Sequence, residues 1–131
     1  MNISYYNPYS ESEIHIVGEV VGDVFHAIEL AKGLRSARGC PTVDVVVASG
    51  ESLSYSTDGV RVHLGWTDVS GSSYHSVGEF SGPEGLVFDH FGSWSEVPSE
   101  WLISSGVAKV CVERFVETGS PITDNVRFIL D

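Results

Sequence analysis

The sequence predicts an α+β fold in which two helices pack on one face of a mostly antiparallel sheet. Two segments carry apolar residues at the three- and four-residue spacing of amphipathic helices. A long central region instead holds short apolar and aromatic segments separated by glycines, which is typical of antiparallel strands joined by turns. No linker, repeat or low-complexity tract interrupts the 131 residues, so we expect residues 1–131 to form a single domain.

The N-terminal part is predicted to form two short strands and a helix. Residues 3–6 are β-branched or aromatic, and residues 13–17 alternate apolar with polar side chains, so each segment suits a strand. Helical spacing follows, with Asp23 as a suitable N-cap and Gly39 beyond the last turn. We therefore expect the first helix over residues 23–38.

The glycine-rich centre is predicted to form a meander of five strands, over residues 43–48, 52–56, 60–66, 74–80 and 86–91. Asp58-Gly59 is a strong signal for a hairpin between the second and third of these. In the third strand, Arg61 and His63 lie on the face opposite Val62 and Leu64. We expect the aliphatic face of the sheet to be covered and the other face to contact water.

The C-terminal part is predicted to form the second helix and a last strand. Ser104 or Ser105 can act as the N-cap, and Gly119 ends the helix before Pro121. The expected buried face of the helix consists of Val107, Val110, Cys111 and Phe115. Residues 125–130 alternate as a strand, in which Phe128 is expected to fill the core together with Phe115.

The charge balance indicates which partners the protein attracts. Eighteen acidic residues against seven basic ones give a formal charge of -11, which repels nucleic acids and anionic membranes and attracts basic proteins. The first basic residue is Lys32, so the N-terminus lacks the basic region of a secretory signal, and the longest apolar run, residues 45–48, is too short to span a bilayer. We expect a cytoplasmic protein with two reduced cysteines.

The usual signatures of catalysis are missing from the sequence. It contains no phosphate-binding glycine loop, no G-x-S-x-G, no H-E-x-x-H and no paired C-x-x-C. We therefore expect no enzymatic activity, no cofactor and no bound metal. His63, His75, Asp89 and His90 sit in neighbouring predicted strands and could converge on a metal or form a catalytic site, which remains an alternative. Cys111 is expected in the core, and Cys40 is expected to be an exposed thiol without a function.

Acidic and aromatic residues are concentrated in the centre of the chain. Between Pro41 and Gly106, nine acidic residues stand against one basic residue, Arg61. Aromatic residues are interleaved with them, and this mixture is typical of a protein-binding surface, although a solvated acidic surface with the tryptophans in the core would give the same pattern. The candidate binding residues are Asp68, Glu79, Glu84, Asp89, Glu96, Trp66, Tyr74 and Trp94.

The C-terminal third carries a recognisable combination of motifs. Val97-Pro98 precedes the helical segment 108–115, which is followed by Glu117-Thr118-Gly119-Ser120-Pro121 and then by Val126-Arg127-Phe128. This order resembles the first numbered family of immunity proteins from bacterial polymorphic and contact-dependent toxin systems. Phe128 stands where that family has a tryptophan, and Phe115, Gly119, Pro121 and Phe128 are interpreted as residues that maintain the fold.

The resemblance implies a small cytoplasmic protein that binds and neutralises a cognate toxin domain and is not itself an enzyme. Such toxins are often nucleases or nucleic-acid deaminases, whose substrate-binding surfaces are basic, and an acidic inhibitor would block such an active site. Two alternatives stay open: an acidic adaptor that binds a protein without inhibiting a toxin, and a histidine-dependent enzyme acting on a small molecule.

Overall fold

The computed structural model describes residues 1–78 and 80–131 of the chain. Within these residues, eight strands form one large sheet and three strands form a second, smaller sheet. In chain order the elements are β1 (Asn2–Asn7), β2 (Ser12–Val17), α1 (Val21–Lys32), β3 (Cys40–Pro41), β4 (Val43–Val46), β5 (Ser52–Thr57), β6 (Arg61–Thr67), β7 (Ser73–Val77), β8 (Leu86–His90), β9 (Ser93–Val97), a 3-10 turn (Ser99–Trp101), β10 (Ile103–Ser104), α2 (Ser105–Thr118) and β11 (Arg127–Leu130).

The large sheet is antiparallel throughout, in the order β11-β7-β6-β5-β4-β1-β2. Strands β4 to β7 are sequential neighbours and form the predicted meander. The short strand β10 pairs with the first residues of β6, where Ile103 lies opposite Val62. Gly78 allows this crowded arrangement, because a Cβ there would lie 1.5 Å from the Leu102 carbonyl oxygen.

Both helices cover the same face of the large sheet, as the sequence predicts. Val24 and Ile28 of α1 share one core with Phe115 of α2 and with Ile3 and Leu64 of the sheet. All five side chains are buried. The predicted class, an α+β fold with a mostly antiparallel sheet and two helices on one face, is confirmed.

Helix α1 is shorter than predicted and begins earlier. It begins at Val21, because the Asp23 carboxylate accepts hydrogen bonds from the backbone N–H groups of Glu19 (2.8 Å) and Val20 (3.1 Å), which caps the first turn from within. It ends at Lys32, and residues 33–39 form a connection in which Ser36 and Gly39 exchange two backbone hydrogen bonds. The prediction of a helix over residues 23–38 was therefore wrong at both ends.

Helix α2 has the predicted caps. The Ser104 hydroxyl accepts the Val107 N–H at 3.3 Å, and Gly119 ends the helix at a φ of 83°. Its buried residues are Ala108, Cys111, Val112 and Phe115. Val110, which was expected on this face, is 49% exposed, because residue 110 points away from the stripe formed by residues 108, 111, 112 and 115.

Strand β8 leaves the meander and starts a second layer. The edge of β7 that it would have joined is occupied by β11, which pairs from Arg127–Val77 to Leu130–Tyr74. Strand β8 instead pairs with β3 in parallel and with β9 in an antiparallel hairpin. The prediction placed residues 86–91 in the meander and assigned no strand to Ser93–Val97, so both points are corrected. The predicted strand 74–80 includes Glu79, which lies outside the described residues.

The second layer covers part of the sheet face that was expected to contact water. Leu86, Phe88, Val97 and Leu102 form a small buried cluster of their own. His63, on the face of β6 opposite Val62 and Leu64, stacks on the rings of Phe88 and Trp101, with ring centres 6.2 and 6.0 Å apart. The polar face of the large sheet is therefore not open along its whole width.

Both cysteines are free thiols, and both are buried. Cys111 lies in the core as predicted, where burial raises the pKa of its thiol. Cys40 was expected to be exposed but is only 2% exposed, because β3 pairs with β8 at Phe88. None of the helices in the described parts of the chain is long and apolar enough to cross a membrane.

Candidate functional site

The outer face of the small sheet presents an exposed tryptophan beside carboxylates. In the β8–β9 hairpin Asp89 lies opposite Trp94 and Val87 lies opposite Glu96. Because successive side chains alternate between the faces of a strand, Phe88 points towards the large sheet while Trp94 and Glu96 point away from it. Trp94 is 59% exposed, and Glu96 is exposed as well.

Glu84 completes this surface. It is exposed and precedes Gly85, next to which the Glu96 carboxylate lies: a Cβ at Gly85 would be 3.3 Å from Glu96 Oε1. The backbone carbonyls of Glu84 and Gly85 accept hydrogen bonds from the Arg61 guanidinium at 2.8 and 3.2 Å, which fixes the main chain at these two residues. We call Glu84, Trp94 and Glu96 the acidic face.

The hairpin that carries Trp94 is anchored at its tip. Phe91 and Gly92 both have positive φ angles, 52° and 89°, as the central residues of a type I′ two-residue hairpin turn require. A Cβ at Gly92 would lie 3.6 Å from the Tyr6 ring, so the turn rests on the large sheet. The Asp89 carboxylate accepts the Gly92 N–H at 2.7 Å and closes the turn from inside. The hairpin that carries Trp94 and Glu96 is therefore held in place at its turn by contacts with the large sheet and with Asp89.

Asp89, a candidate binding residue, is fully buried and was placed wrongly on the surface. One of its oxygens holds Gly92, and the other lies 4.0 Å from Arg38 Nη1. The segment that leads into β3 passes close to β8, since a Cβ at Gly39 would lie 2.4 Å from the Val87 carbonyl oxygen. Asp89 therefore stabilises the hairpin and cannot contact a partner.

Asp68, Trp66 and Tyr74 lie on the large sheet, apart from the acidic face. The Asp68 carboxylate accepts hydrogen bonds from the Ser70 hydroxyl and from the backbone N–H groups of Ser70 and Ser72, the latter two at 3.0 Å. The Ser70 hydroxyl, followed by the backbone bonds, lowers the pKa of this carboxyl. Its other oxygen accepts the Tyr74 hydroxyl at 3.1 Å. Asp68 thus closes the turn between β6 and β7.

Trp66 and Tyr74 stack at 4.8 Å between ring centres on the helix side of the sheet. Trp66 packs against the main core, and its indole N–H donates to the Gly119 carbonyl at 3.1 Å. Since the small sheet covers the opposite side, the structure does not bring these aromatics together with Trp94. Glu79, the remaining candidate, lies outside the described residues.

One exposed acid near the small sheet was not among the candidates. Glu100 lies in the 3-10 turn that directly follows β9, and it is exposed. The sequence contains no Lys or Arg between Arg61 and Lys109. One sequence signal could have identified β9, the strand that precedes Glu100. Ser93 and Ser95 alternate with Trp94 and Glu96, which indicates a strand with the tryptophan and the acid on the same face.

Of the four residues in the alternative prediction, the structure brings His63 and His75 together beside Trp101 but places His90 and Asp89 elsewhere. The ring centres of His63 and His75 lie 6.0 and 3.8 Å from that of Trp101. His75 Nδ1 also lies 2.5 Å from the Asp131 carboxylate. His90 instead lies 3.9 Å from Asp44, and Asp89 faces Arg38. Within the described residues no three His, Cys, Asp or Glu side chains are arranged to hold a metal ion.

His63 is nonetheless in an unusual environment. Both of its ring nitrogens are buried without a hydrogen-bond partner in the described structure. Burial, reinforced by the nearby His75, lowers the pKa of His63 to about 4. The neutral His63 imidazole packs on aromatic rings of the second layer and so joins this layer to the large sheet. Because protonation would place a charge in this buried site, we expect the stability of the protein to fall at low pH.

A groove of about 750 Å³ lies beside the start of α2. Val77, Ile103 and Val107 form its apolar part, and Ser104 and Arg127 are among its polar residues. No histidine lines it, so the perturbed His63 and the His75–Asp131 pair do not form an active site with this groove.

No protein-family model matches the chain, and a search of curated proteins finds no significant match. The interpretation of the acidic face therefore depends on its geometry and charge.

Proposed function

We propose that this protein is a cytoplasmic immunity protein that binds a basic, nucleic-acid-modifying toxin domain, a nuclease or a deaminase, and blocks its active site with the acidic face. Glu84, Trp94 and Glu96 are the proposed contact residues. This assignment reduces the eight residues suggested by the sequence to the three that share one exposed surface.

The observation that carries the proposal is the exposure of Trp94. A tryptophan that is 59% exposed on a braced hairpin leaves a large apolar surface in water. Tryptophan is among the residues that most often dominate binding energy at protein interfaces, where a ring of less important contacts excludes water around it. Glu96 shares the face of Trp94 on β9, and Glu84 precedes Gly85, beside which the Glu96 carboxylate lies, so we assign both carboxylates to such a surrounding rim.

The charge distribution supports a basic partner. The formal charge of -11 attracts a basic surface over several ångströms and repels nucleic acids. A toxin that acts on nucleic acids needs a basic substrate cleft, and an acidic surface imitates the field of its substrate. Binding there would exclude the nucleic acid by both shape and charge.

The experiment is to purify the toxin domain encoded by the adjacent reading frame and to measure its binding and its nucleic-acid-modifying activity. We expect a stable complex and loss of the toxin's activity at equimolar protein. Complex formation without inhibition would indicate an adaptor, and absence of a complex would contradict the proposal.

Trp94→Ala is expected to weaken the complex by about tenfold, since truncating a central interface residue costs more than about 1 kcal/mol. Titration calorimetry measures this change. Ile122→Ala provides the control, because Ile122 is also a large exposed apolar residue but follows α2. Equal affinities of wild type, Trp94→Ala and Ile122→Ala would place the interface outside the acidic face.

A further inference from the structure

We infer that the partner docks by adding an extended basic segment, as a fourth strand, to the free edge of β9. This inference rests on the proposed function and specifies how the acidic face is used. The small sheet has the order β3-β8-β9, so β9 has a neighbour on one side only.

The register shows which backbone groups face the free edge. Residues Phe91 and Gly92 form the turn, and its closing hydrogen bond joins the Ser93 N–H to the His90 carbonyl. Along an antiparallel ladder, residue pairs that exchange backbone hydrogen bonds alternate with pairs that do not. Ser95 and Val97, like Ser93, therefore form backbone hydrogen bonds with β8. The N–H and C=O groups of Trp94 and Glu96 must therefore point away from β8.

Two further observations agree with this assignment. A Cβ at Gly85 would lie 2.2 Å from the Val97 carbonyl oxygen, so that carbonyl is directed towards the β8 side. Among the described hydrogen bonds of turns and loops, none involves the main chain of Trp94 or Glu96. One donor and one acceptor of each residue are thus available to another strand.

The edge carries one charged side chain, Glu96, but lacks other features that normally prevent strand addition. Natural edge strands are protected by charged residues, especially lysine, by proline, by a bulge or by a covering segment. Ser93–Val97 contains neither lysine nor proline, and its five consecutive pairs with β8 include no bulge. The edge ends at Pro98, which directly follows the strand. These features allow one short extended segment to pair with β9.

The side chains on this edge select a basic segment. Glu96 would lie across from the added strand on the outer face, where an opposite charge is favourable and a like charge is not. An Arg side chain there could also stack on the exposed Trp94 ring. Glu84 and Glu100 flank the strand, and no Lys or Arg lies between Arg61 and Lys109 in the sequence. Main-chain pairing would supply affinity, and these side chains would supply the preference for Lys and Arg.

Amide hydrogen exchange tests the inference directly, using the whole protein alone and in complex with the toxin domain from the adjacent reading frame. In the free protein we expect fast exchange at Trp94 and Glu96 and slow exchange at Ser95 and Val97. In the complex, exchange at Trp94 and Glu96 should slow by at least about tenfold. A complex in which these two amides remain unprotected would overturn strand addition while leaving the proposed function intact. Failure to form any complex would overturn both.

Two variants of residue 96 separate the contribution of main-chain pairing at the edge from the contribution of the Glu96 side chain. Glu96→Pro removes an outward-facing donor and leaves the N–H groups that pair with β8, so we expect binding to weaken by at least about tenfold more than in Glu96→Ala. Unchanged exchange at Ser95 and Val97 would show that the hairpin persists. Equal affinities of the two variants, with the hairpin intact, would contradict strand addition.

Discussion

Replacement of Phe115 by Ala is expected to lower the free energy of unfolding by about 3 to 5 kcal/mol. Phe115 is the largest completely buried side chain of the protein's described residues and extends from α2 into the core shared with α1 and the sheet. Its removal loses the transfer free energy of an aromatic ring and leaves a cavity that the closely packed neighbours can fill only in part.

The measurement is chemical denaturation of wild type, Phe115→Ala and Val110→Ala. Val110 lies on the same helix but is half exposed, so its truncation should change the free energy of unfolding by less than about 0.5 kcal/mol. A loss below about 1 kcal/mol in Phe115→Ala would show that Phe115 does not anchor α2.

Lowering the pH from 7.5 to 5.0 is expected to remove about 2 kcal/mol of stability through His63 alone. The folded protein holds the pKa of His63 at about 4, below the ordinary histidine value of 6.5, chiefly because of burial. Between these two values the unfolded chain binds a proton that the folded protein does not. The stabilisation is therefore complete above pH 6.5 and is lost as the pH falls towards 4.

The groups that face His63 set the size of this effect. His75 lowers the pKa further, whereas Asp131 raises it, and Phe88 and Trp101 enclose the ring without offering a hydrogen bond. His63→Phe keeps an aromatic ring between the layers and removes the titration. We expect its loss of stability between pH 7.5 and 5.0 to be smaller than that of wild type by about 2 kcal/mol.

The matched control is His15→Phe, because the His15 side chain is exposed. Urea denaturation at the two pH values should show the wild-type dependence in His15→Phe and a weaker dependence in His63→Phe. Identical pH dependence in all three proteins would exclude His63 as the buried titrating group.

The local features of the fold could be predicted because they depend on short-range patterns. The caps of α2 at Ser104 and Gly119 and the Asp58-Gly59 hairpin each rest on residues close in sequence. The second layer could not be predicted in this way. It depends on β11, the last strand, taking the edge of β7 and leaving β8 to pair elsewhere. Which of two distant segments pairs with β7 cannot be predicted from the sequence periodicity of either segment.

The candidate site was predictable in its chemistry and only partly in its residues. Counting acids locates the negative charge in the centre of the chain, but burial is decided by long-range packing. Asp89 shares the face of Trp94 but is buried, because its carboxylate holds Gly92 and lies against Arg38. Trp66 is half-buried, because its indole reaches Gly119 at the end of α2. Trp94 and Glu96 stay exposed because their side chains point away from the large sheet.

The most direct test of the proposed acidic face is the association rate with the toxin domain from the adjacent reading frame, measured by stopped flow over a range of salt concentrations. The variants are Glu84→Gln/Glu96→Gln and, as a control with the same loss of charge, Glu113→Gln/Glu117→Gln on the exposed side of α2. Surface fields are screened beyond about 8 Å at physiological ionic strength, so salt should slow association of the wild type.

We expect Glu84→Gln/Glu96→Gln to associate at least about threefold more slowly than wild type at low salt, with the difference disappearing at high salt, because charges nearest the interface contribute most to steering. The Glu113→Gln/Glu117→Gln control should stay close to the wild-type rate. Equal rates for the two double variants at every salt concentration would contradict the acidic face as the binding surface.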